Sequence, residues 1–346
     1  MKSWIFSIFL LLHHLPDLSA QRPNTPISNL IFEGAGIRGI AYAGALEELN
    51  NHQLLQKVTR VGGTSSGAIT ALTVALNYSP LEIKALIGHT NFQSFNDGGF
   101  IFLGGIHRVN RFYGWYKGQR FSKWLGKIIQ DRTGNQNITF SELHNKGYKD
   151  LYITATDLSA QKMIVFSYQT TPEMSVKNAV RMSMAIPLYF QPLFLDSTHK
   201  VYYKPKPNKD LHVIVDGGII GNFPIHLFDS TRFIDTVSAN QFVYNKGTLA
   251  LRIDSKEQIN NDQTQKGLAA LPIRNFKTYV VAFYTMIIEN LNRPHLTIND
   301  WNRTISICDG DLNPRVRKLK EEQIERLFEC GKEGVRTYLK NLDSKN

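Results

Sequence analysis

Cysteine is almost absent: Cys308 and Cys330 are the only two in 346 residues. This excludes a disulfide-dense scaffold and a four-thiolate zinc site, and leaves room for one bridge between the pair. No cysteine or histidine spacing matches a zinc site and no EF-hand loop is present, so the sequence offers no recognisable metal site. There is no internal repeat, low-complexity tract or linker that would mark a second domain. Acidic residues are in deficit, with 29 Asp+Glu against 40 Lys+Arg, a formal charge of +11. Such an excess suits an anionic partner, either nucleic acid or a phospholipid surface, and also plain solubility. With 42% apolar and 20% charged residues, the chain is neither disordered nor a polytopic membrane protein.

The first twenty residues read as a secretory signal peptide. Lys2 gives a short positive region, Trp4 to Leu12 an apolar run, and Leu15 to Ala20 a stretch with Pro16 and small residues. The run is too short for a membrane span, and Leu18 stands where a smaller residue is usual before the cut. Cleavage after Ala20 removes one Lys and one Asp, so the charge stays with the mature chain. A secreted or periplasmic location is expected, with residues 21–346 as a single domain.

Beyond it, short apolar strands at Asn29–Glu33, Val58–Gly62, Leu151–Thr156 and Leu249–Ile253 alternate with helical patterns at Ile40–Asn50, Ala68–Leu76 and Val176–Met184. Leu81–Ile87 and Phe121–Gln130 are further helix candidates. Met163–Ser167 pairs with Leu151–Thr156, and Val201–Tyr203 with Leu211–Val215 across a Lys/Pro/Asn turn. Phe276–Leu291 is an apolar helix, Thr304–Ile307 an edge strand, and Arg315–Leu342 one charged amphipathic helix or two. Residues 89–119, rich in glycine and aromatics, read as a loop-rich insertion, either a lid or a surface excursion. The alternation predicts an α/β fold: a mostly parallel sheet with helices on both faces.

Three motifs carry chemistry. Gly34-Ala35-Gly36-Ile37-Arg38-Gly39 follows a strand and precedes a helix, like a dinucleotide fingerprint. The acidic residue that would hold a ribose is missing from Leu55 to Val61, which weakens that option. A backbone nest beside a helix N-terminus remains, suited to a phosphate or an oxyanion. Gly63-Thr64-Ser65-Ser66-Gly67 has the G-x-S-x-G form of a nucleophile elbow, which places Ser65 at the apex. The glycine nest ends 24 residues upstream. Asp216-Gly217-Gly218 ends the apolar strand Val213-Ile214-Val215, where such sheets place active sites. The elbow comes too early for a standard α/β-hydrolase, which would also need a late histidine; His226 and His295 are the candidates.

In this order the motifs resemble the patatin-like phospholipase family. Leu30-Ile31-Phe32-Glu33 entering the glycine loop is similar to its oxyanion loop, Gly63–Gly67 to its elbow, and Asp216–Gly218 with Asn222 and Pro224 to its aspartate motif. Ala179–Pro187 resembles the helix and loop before the aspartate. The likeness spans the motif core 29–227 and is loose over the extension 228–346. It implies a three-layer α/β/α fold and a Ser65–Asp216 dyad: Ser65 is the nucleophile and Asp216 the general base. An oxyanion hole would come from Gly34, Gly36, Ile37, Arg38 and Gly39, with Gly63, Gly67, Gly217 and Gly218 as support. The implied function is a secreted acyl hydrolase of phospholipids or related lipids without a metal. A non-catalytic lipid binder on this fold and a nucleotide-binding oxidoreductase are the alternatives. Arg38 either meets substrate phosphate or anchors its loop by a salt bridge. The basic residues are dispersed and no nucleic-acid reader motif is present, so the charge points to an anionic membrane surface. Lys204, Lys206, Lys209, Arg315, Arg317, Lys318 and Lys320 are the candidate contacts.

Overall fold

A computed structural model describes residues 25–99, 103–233, 240–264, 266–293, 296–312 and 318–344. The signal-peptide stretch, His295, Arg315 and Arg317 lie outside these residues. In chain order the first elements are β1 (Asn29–Phe32), α1 (Ile40–Asn51), β2 (Arg60–Thr64), α2 (Ser66–Ala75), α3 (Pro80–Gly88), α4 (Leu103–Phe112), β3 (Gly114–Tyr116), α5 (Gln119–Thr133) and α6 (Phe140–Asn145). Then come β4 (Asp150–Asp157), β5 (Lys162–Phe166), α7 (Val176–Ser183), β6 (Leu188–Phe190), β7 (Leu193–Leu195), β8 (Val201–Tyr202), β9 (His212–Asp216) and α8 (Gly218–Gly221). The rest are β10 (Ser230–Phe233), β11 (Asn240–Val243), β12 (Thr248–Asp254), α9 (Lys256–Gln263), α10 (Phe276–Asn292), α11 (Ile298–Asn302), β13 (Thr304–Cys308) and α12 (Glu321–Asp343).

Nine strands form one sheet in the order β13-β12-β1-β2-β4-β9-β7-β8, with β5 also on β4. From β13 to β4 the pairing is parallel; β5, β9, β7 and β8 join antiparallel, so the sheet is mixed. Successive residues of β1 face opposite sides, as a strand's pleat requires. Leu30 and Phe32 enter a large core with α1, α2, α7 and α12, and Ile31 enters a smaller one with Phe223, Ile225 and Phe228. Helices therefore cover both faces, giving three layers.

One register detail positions the site. β5 lies along one edge of β4, over Ile153–Asp157. The other edge is shared: β2 occupies Asp150–Thr154 and β9, running the opposite way, occupies Ala155–Asp157. Thr64 pairs with Thr154 and Asp216 with Ala155, so the carboxyl ends of β2 and β9 meet head-on.

At three points the structure corrects the sequence expectations or decides what they left open. Residues 89–119 are not mainly loop: they hold a short 3-10 turn at Phe92–Phe95, α4 and β3. Gly105 serves packing, since a Cβ there would lie 2.4 Å from the Trp115 ring. The Asp97 carboxylate pins this stretch to α5 by accepting the N–H groups of Gly118, Gln119 and Arg120. β8 and β9 do not pair with each other; both pair with β7, a three-residue strand too short to announce itself. Cys308 and Cys330 are both free. Burial and the neighbouring Cys308 push the Cys330 thiol up to about 11.

The extension after residue 227 supplies the sheet edge β12-β13 and the helix α12. Its buried residues Ile324, Leu327, Phe328, Gly331, Val335 and Leu339 recur at helical spacing and face α1 and its neighbours. The two backbones touch at reciprocal glycines: a Cβ on Gly44 would lie 1.8 Å from the Phe328 carbonyl oxygen, and one on Gly331 1.9 Å from that of Ala41. Gly44→Ala or Gly331→Ala must therefore push the helices apart. Chemical denaturation is expected to show a loss of about 1–3 kcal/mol or more for either variant, and unchanged stability would contradict this packing.

Candidate functional site

The elbow is built by close approach. A Cβ on Gly63 would lie 2.4 Å from the Gly67 carbonyl oxygen, and one on Gly67 would lie 2.3 Å from that of Phe32. Only glycine at both positions lets β2 turn straight into α2. Ser65 takes the strain, at φ 53° and ψ −122°, a conformation that costs a non-glycine residue of order 1–3 kcal/mol. Its N–H donates to Ser183 Oγ at 2.8 Å, which holds the turn.

The Ser65 hydroxyl donates to Asp216 Oδ2 at 2.8 Å, and the Met184 sulfur lies 3.4 Å away. The other carboxylate oxygen of Asp216 accepts the Gly218 N–H at 2.7 Å, and the Asp216 N–H donates to the Ala185 carbonyl. Ser65 is 9% exposed and Asp216 3%. Burial pushes the Asp216 carboxyl up to about 6, against the opposing hydrogen bonds from Gly218 and Ser65. A base of that strength within hydrogen-bond reach of a hydroxyl can take its proton.

The glycine loop sits beside this pair. The Ala35 N–H donates to Ser66 Oγ at 2.8 Å, so the elbow's second serine holds the loop. Gly36 opens a 3-10 turn, Gly36–Gly39, with φ +59°. The leading N–H groups of a helical turn have no acceptor within it, so those of Gly36 and Ile37 are not engaged by the turn itself. Gly34 differs from expectation: its N–H donates to the Asn222 carbonyl. Gly34 matters for space instead, because a Cβ there would lie 2.4 Å from Asn222 Oδ1. Gly39 packs on Ser66, and Gly217 has no room for a side chain against Thr154 and Thr64. The Arg38 side chain turns back to the Ala35 carbonyl and pairs with Asp309 at 3.3 Å, an anchoring contact.

Behind the loop lies a buried ionic network. Arg252 faces Glu33 at 3.6 Å and Asp254 at 2.5 Å; Arg293 joins Asp254 at 2.9 Å and Asp262 at 2.5 Å, and pairs with Glu289. Burial pushes the Glu33 carboxyl up to about 8 despite the pull of Arg252. Asn222 bridges the Glu33 carboxylate and the Gly34 carbonyl. The network thus ties β1, β12 and α10 to the glycine loop.

Other sequence candidates lie elsewhere. His226 sits beside Asp229 at 3.0 Å and Asp300 at 3.6 Å, where Arg303 reaches all three groups. These three side chains could ligate an ion by spacing alone, but the Arg303 guanidinium occupies the place between them. Lys204 lies over the Phe112 ring, while Lys206 and Lys209 lie over Tyr202; Lys318 and Lys320 are exposed. A cavity of about 560 Å³ between α9, α11, β13 and α12 has no motif residue in its lining. Ser183 and Met184 were within reach of sequence reasoning, since they lie in Ala179–Pro187. Tyr284 and Asn292 of α10 were not: Asn292 bonds Asn222 and Gly218, and Asp216 helps raise the Tyr284 phenol, yet neither sits in a motif.

A family model described as patatin-like phospholipase matches residues 30–229. Protein R571 of Acanthamoeba polyphaga mimivirus, itself uncharacterised, is 28% identical over 320 residues, 91% of this chain and 95% of that protein. A protein of Invertebrate iridescent virus 6 named probable lipid hydrolase 463L is 28% identical over 199 residues, 57% of this chain and 62% of its own length. The solved structure of VipD from Legionella pneumophila has the same fold, with a TM-score of 0.54 at 16% identity over 92% of this chain and 67% of that one.

Ser183→Ala leaves the buried Ser65 N–H without its acceptor, at a cost of about 1–3 kcal/mol. The expected outcome is a folded protein whose Ser65 reacts at least about tenfold more slowly with a fluorophosphonate probe. An unchanged labelling rate would show that the strand and helix alone hold the elbow.

Proposed function

The chain belongs to the patatin-like phospholipase family, and from that premise we propose that it is a lipid acyl-ester hydrolase working through Ser65 and Asp216. The observation that carries this is the direct 2.8 Å bond from Ser65 Oγ to a buried Asp216 carboxylate. Asp216 takes the hydroxyl proton as Ser65 Oγ attacks the ester carbonyl carbon. The developing oxyanion lies against the Gly36 and Ile37 amides, with the positive end of α2 adding to the field. The tetrahedral intermediate collapses, the C–O bond to the alcohol breaks, and Asp216 returns the proton to the leaving oxygen. Water then attacks the acyl-enzyme, giving its proton to Asp216; Ser65 regains it as the fatty acid departs.

The Trp4–Leu12 run after Lys2 and the small residues before Ala20 support secretion as part of the same proposal. The formal charge of +11 supports a substrate presented on an anionic surface, with attraction that weakens as salt rises.

Ser65→Ala and Asp216→Asn are each expected to abolish fatty-acid release from phospholipid and from a chromogenic ester. Full activity in the serine variant would overturn the proposal. Fluorophosphonate labelling of Ser65 separates an enzyme from a silent lipid binder.

The pH profile gives an independent check. The base must be ionised, so kcat/KM is full well above the Asp216 value and falls as pH drops through about 6. The same raised value means that protonation favours the folded state. The stability from that proton is present below the unfolded value of about 4 and is lost as pH rises through about 6. At pH 8 the inactive Asp216→Asn protein should therefore melt no lower than the wild type, by calorimetry.

A further inference from the structure

No described residue of α10 is buried. Phe276, Tyr279, Val280, Phe283 and Met286 recur at three- and four-residue spacing, so they form one stripe. Phe276 is 80% exposed, and Tyr279 and Phe283 are each 53% exposed. The Tyr279 ring lies between the other two, 6.5 Å from each by centroid. The segment leading into the helix adds Leu268, Leu271 and Ile273, all exposed. Large apolar side chains gathered on one outer face mark an interaction surface.

The inner side of the same helix is fixed to the catalytic loop. Asn292 Oδ1 accepts the Asn222 N–H at 2.7 Å, and its Nδ2 donates to the Gly218 carbonyl at 3.4 Å. Glu289 and the capping Arg293 join the network behind the oxyanion loop. Burial and the Asp216 charge raise the Tyr284 phenol above its ordinary value, which places that ring within electrostatic reach of the general base. The helix is thus held at its carboxyl end beside Asp216 and presents an apolar stripe outward.

We propose that the outer face of α10, with the segment before it, is the surface by which the protein docks on a phospholipid bilayer. The proposal rests on the lipid-hydrolase reading and names where the substrate arrives. Charge complements the assignment: exposed Lys266 and Arg274 flank the apolar residues, on a chain of formal charge +11. Aromatic side chains bordered by cations suit the boundary between acyl chains and anionic headgroups. No described helix is long and apolar enough to cross a membrane, so α10 lies in the interface plane. A bilayer on this face would deliver an acyl ester next to Ser65 and Asp216. A second copy of the chain would instead cover the helix that flanks the site.

The test uses the full chain and vesicles of equal parts phosphatidylcholine and phosphatidylglycerol. Sedimentation is measured in the Ser65→Ala background, so that the vesicles stay intact. Phe276→Ser combined with Phe283→Ser is expected to weaken vesicle binding by about tenfold or more, from the burial of two phenyl rings. Phe276→Ser alone, at the exposed helix start, should give a smaller loss in the same direction. Leu81→Ser, an equally exposed apolar change on α3, should leave binding unaltered. With Ser65 intact, the double variant should hydrolyse a soluble monomeric ester at the wild-type rate, which also shows that it is folded. Unchanged vesicle affinity in both α10 variants overturns the proposal. So does a wild-type dimer that the double variant converts to a monomer of equal vesicle affinity, because the stripe is then a subunit interface. Ester hydrolysis that survives Ser65→Ala would overturn the catalytic reading alone, since sedimentation decides docking without turnover.

Discussion

Two strands meeting end to end along one edge of β4 leave almost no space between Thr64 and Asp216, and the site's architecture follows from that crowding. Residue types at the junction are restricted to those that fit: Gly217 lies against the Thr154 carbonyl, and Gly63 against Gly67. The turn after β2 can escape only by putting Ser65 into a strained conformation, which aims its hydroxyl at the end of β9. With the carboxylate already in contact, no intervening imidazole fits between them. His226 is correspondingly engaged elsewhere, with Asp229, Asp300 and Arg303.

The same crowding sets the electrostatics. Asp216 is buried with hydrogen-bond donors but without a cation, so its proton is held more tightly than in water. Glu33, only one residue before the glycine loop, sits high chiefly because it is buried, and the charges of Asp254 and Glu289 add to this against the pull of Arg252. Two buried carboxylates on adjoining segments thus serve different ends. One is left without a counter-charge and accepts the hydrogen bond of the Ser65 hydroxyl. The other is enclosed in a network that fixes β1, β12 and α10 around it. Breaking a buried network of this kind costs more than its Coulomb attraction suggests, because each orphaned charge stays in a low dielectric.

The local geometry was legible in the sequence, because a strained serine turn and a glycine loop can be made from few residue types. Ser65, Asp216 and the loop from Gly34 to Gly39 stood out for that reason. What escaped depends on distant partners. Gly34 lies in the right loop, yet its amide is taken by Asn222, 188 residues away. Ser183 lies in the stretch Ala179–Pro187, but nothing in that stretch shows that its hydroxyl accepts the Ser65 amide from 118 residues away. Strands and helices with clear periodicity were found, while β7, three residues after Pro192, and α4, interrupted by glycines, were hidden by their own composition. The mixed character of the sheet follows from β9, whose direction is set by its docking beside β2 on β4 and by nothing in its five residues.

β1 carries the glycine loop and lies between β2, made soon after it, and β12, with Asn29 bonded to Thr248 across 219 residues. The strand cannot gain both neighbours, nor Glu33 its Arg252, until nearly three quarters of the chain has left the ribosome. Pairing over such a separation pays its loop-closure entropy before any contact rewards it. Completion of the active centre is therefore a late event in biogenesis, and the nascent polypeptide is synthesised for most of its length without the geometry that would let it attack a lipid.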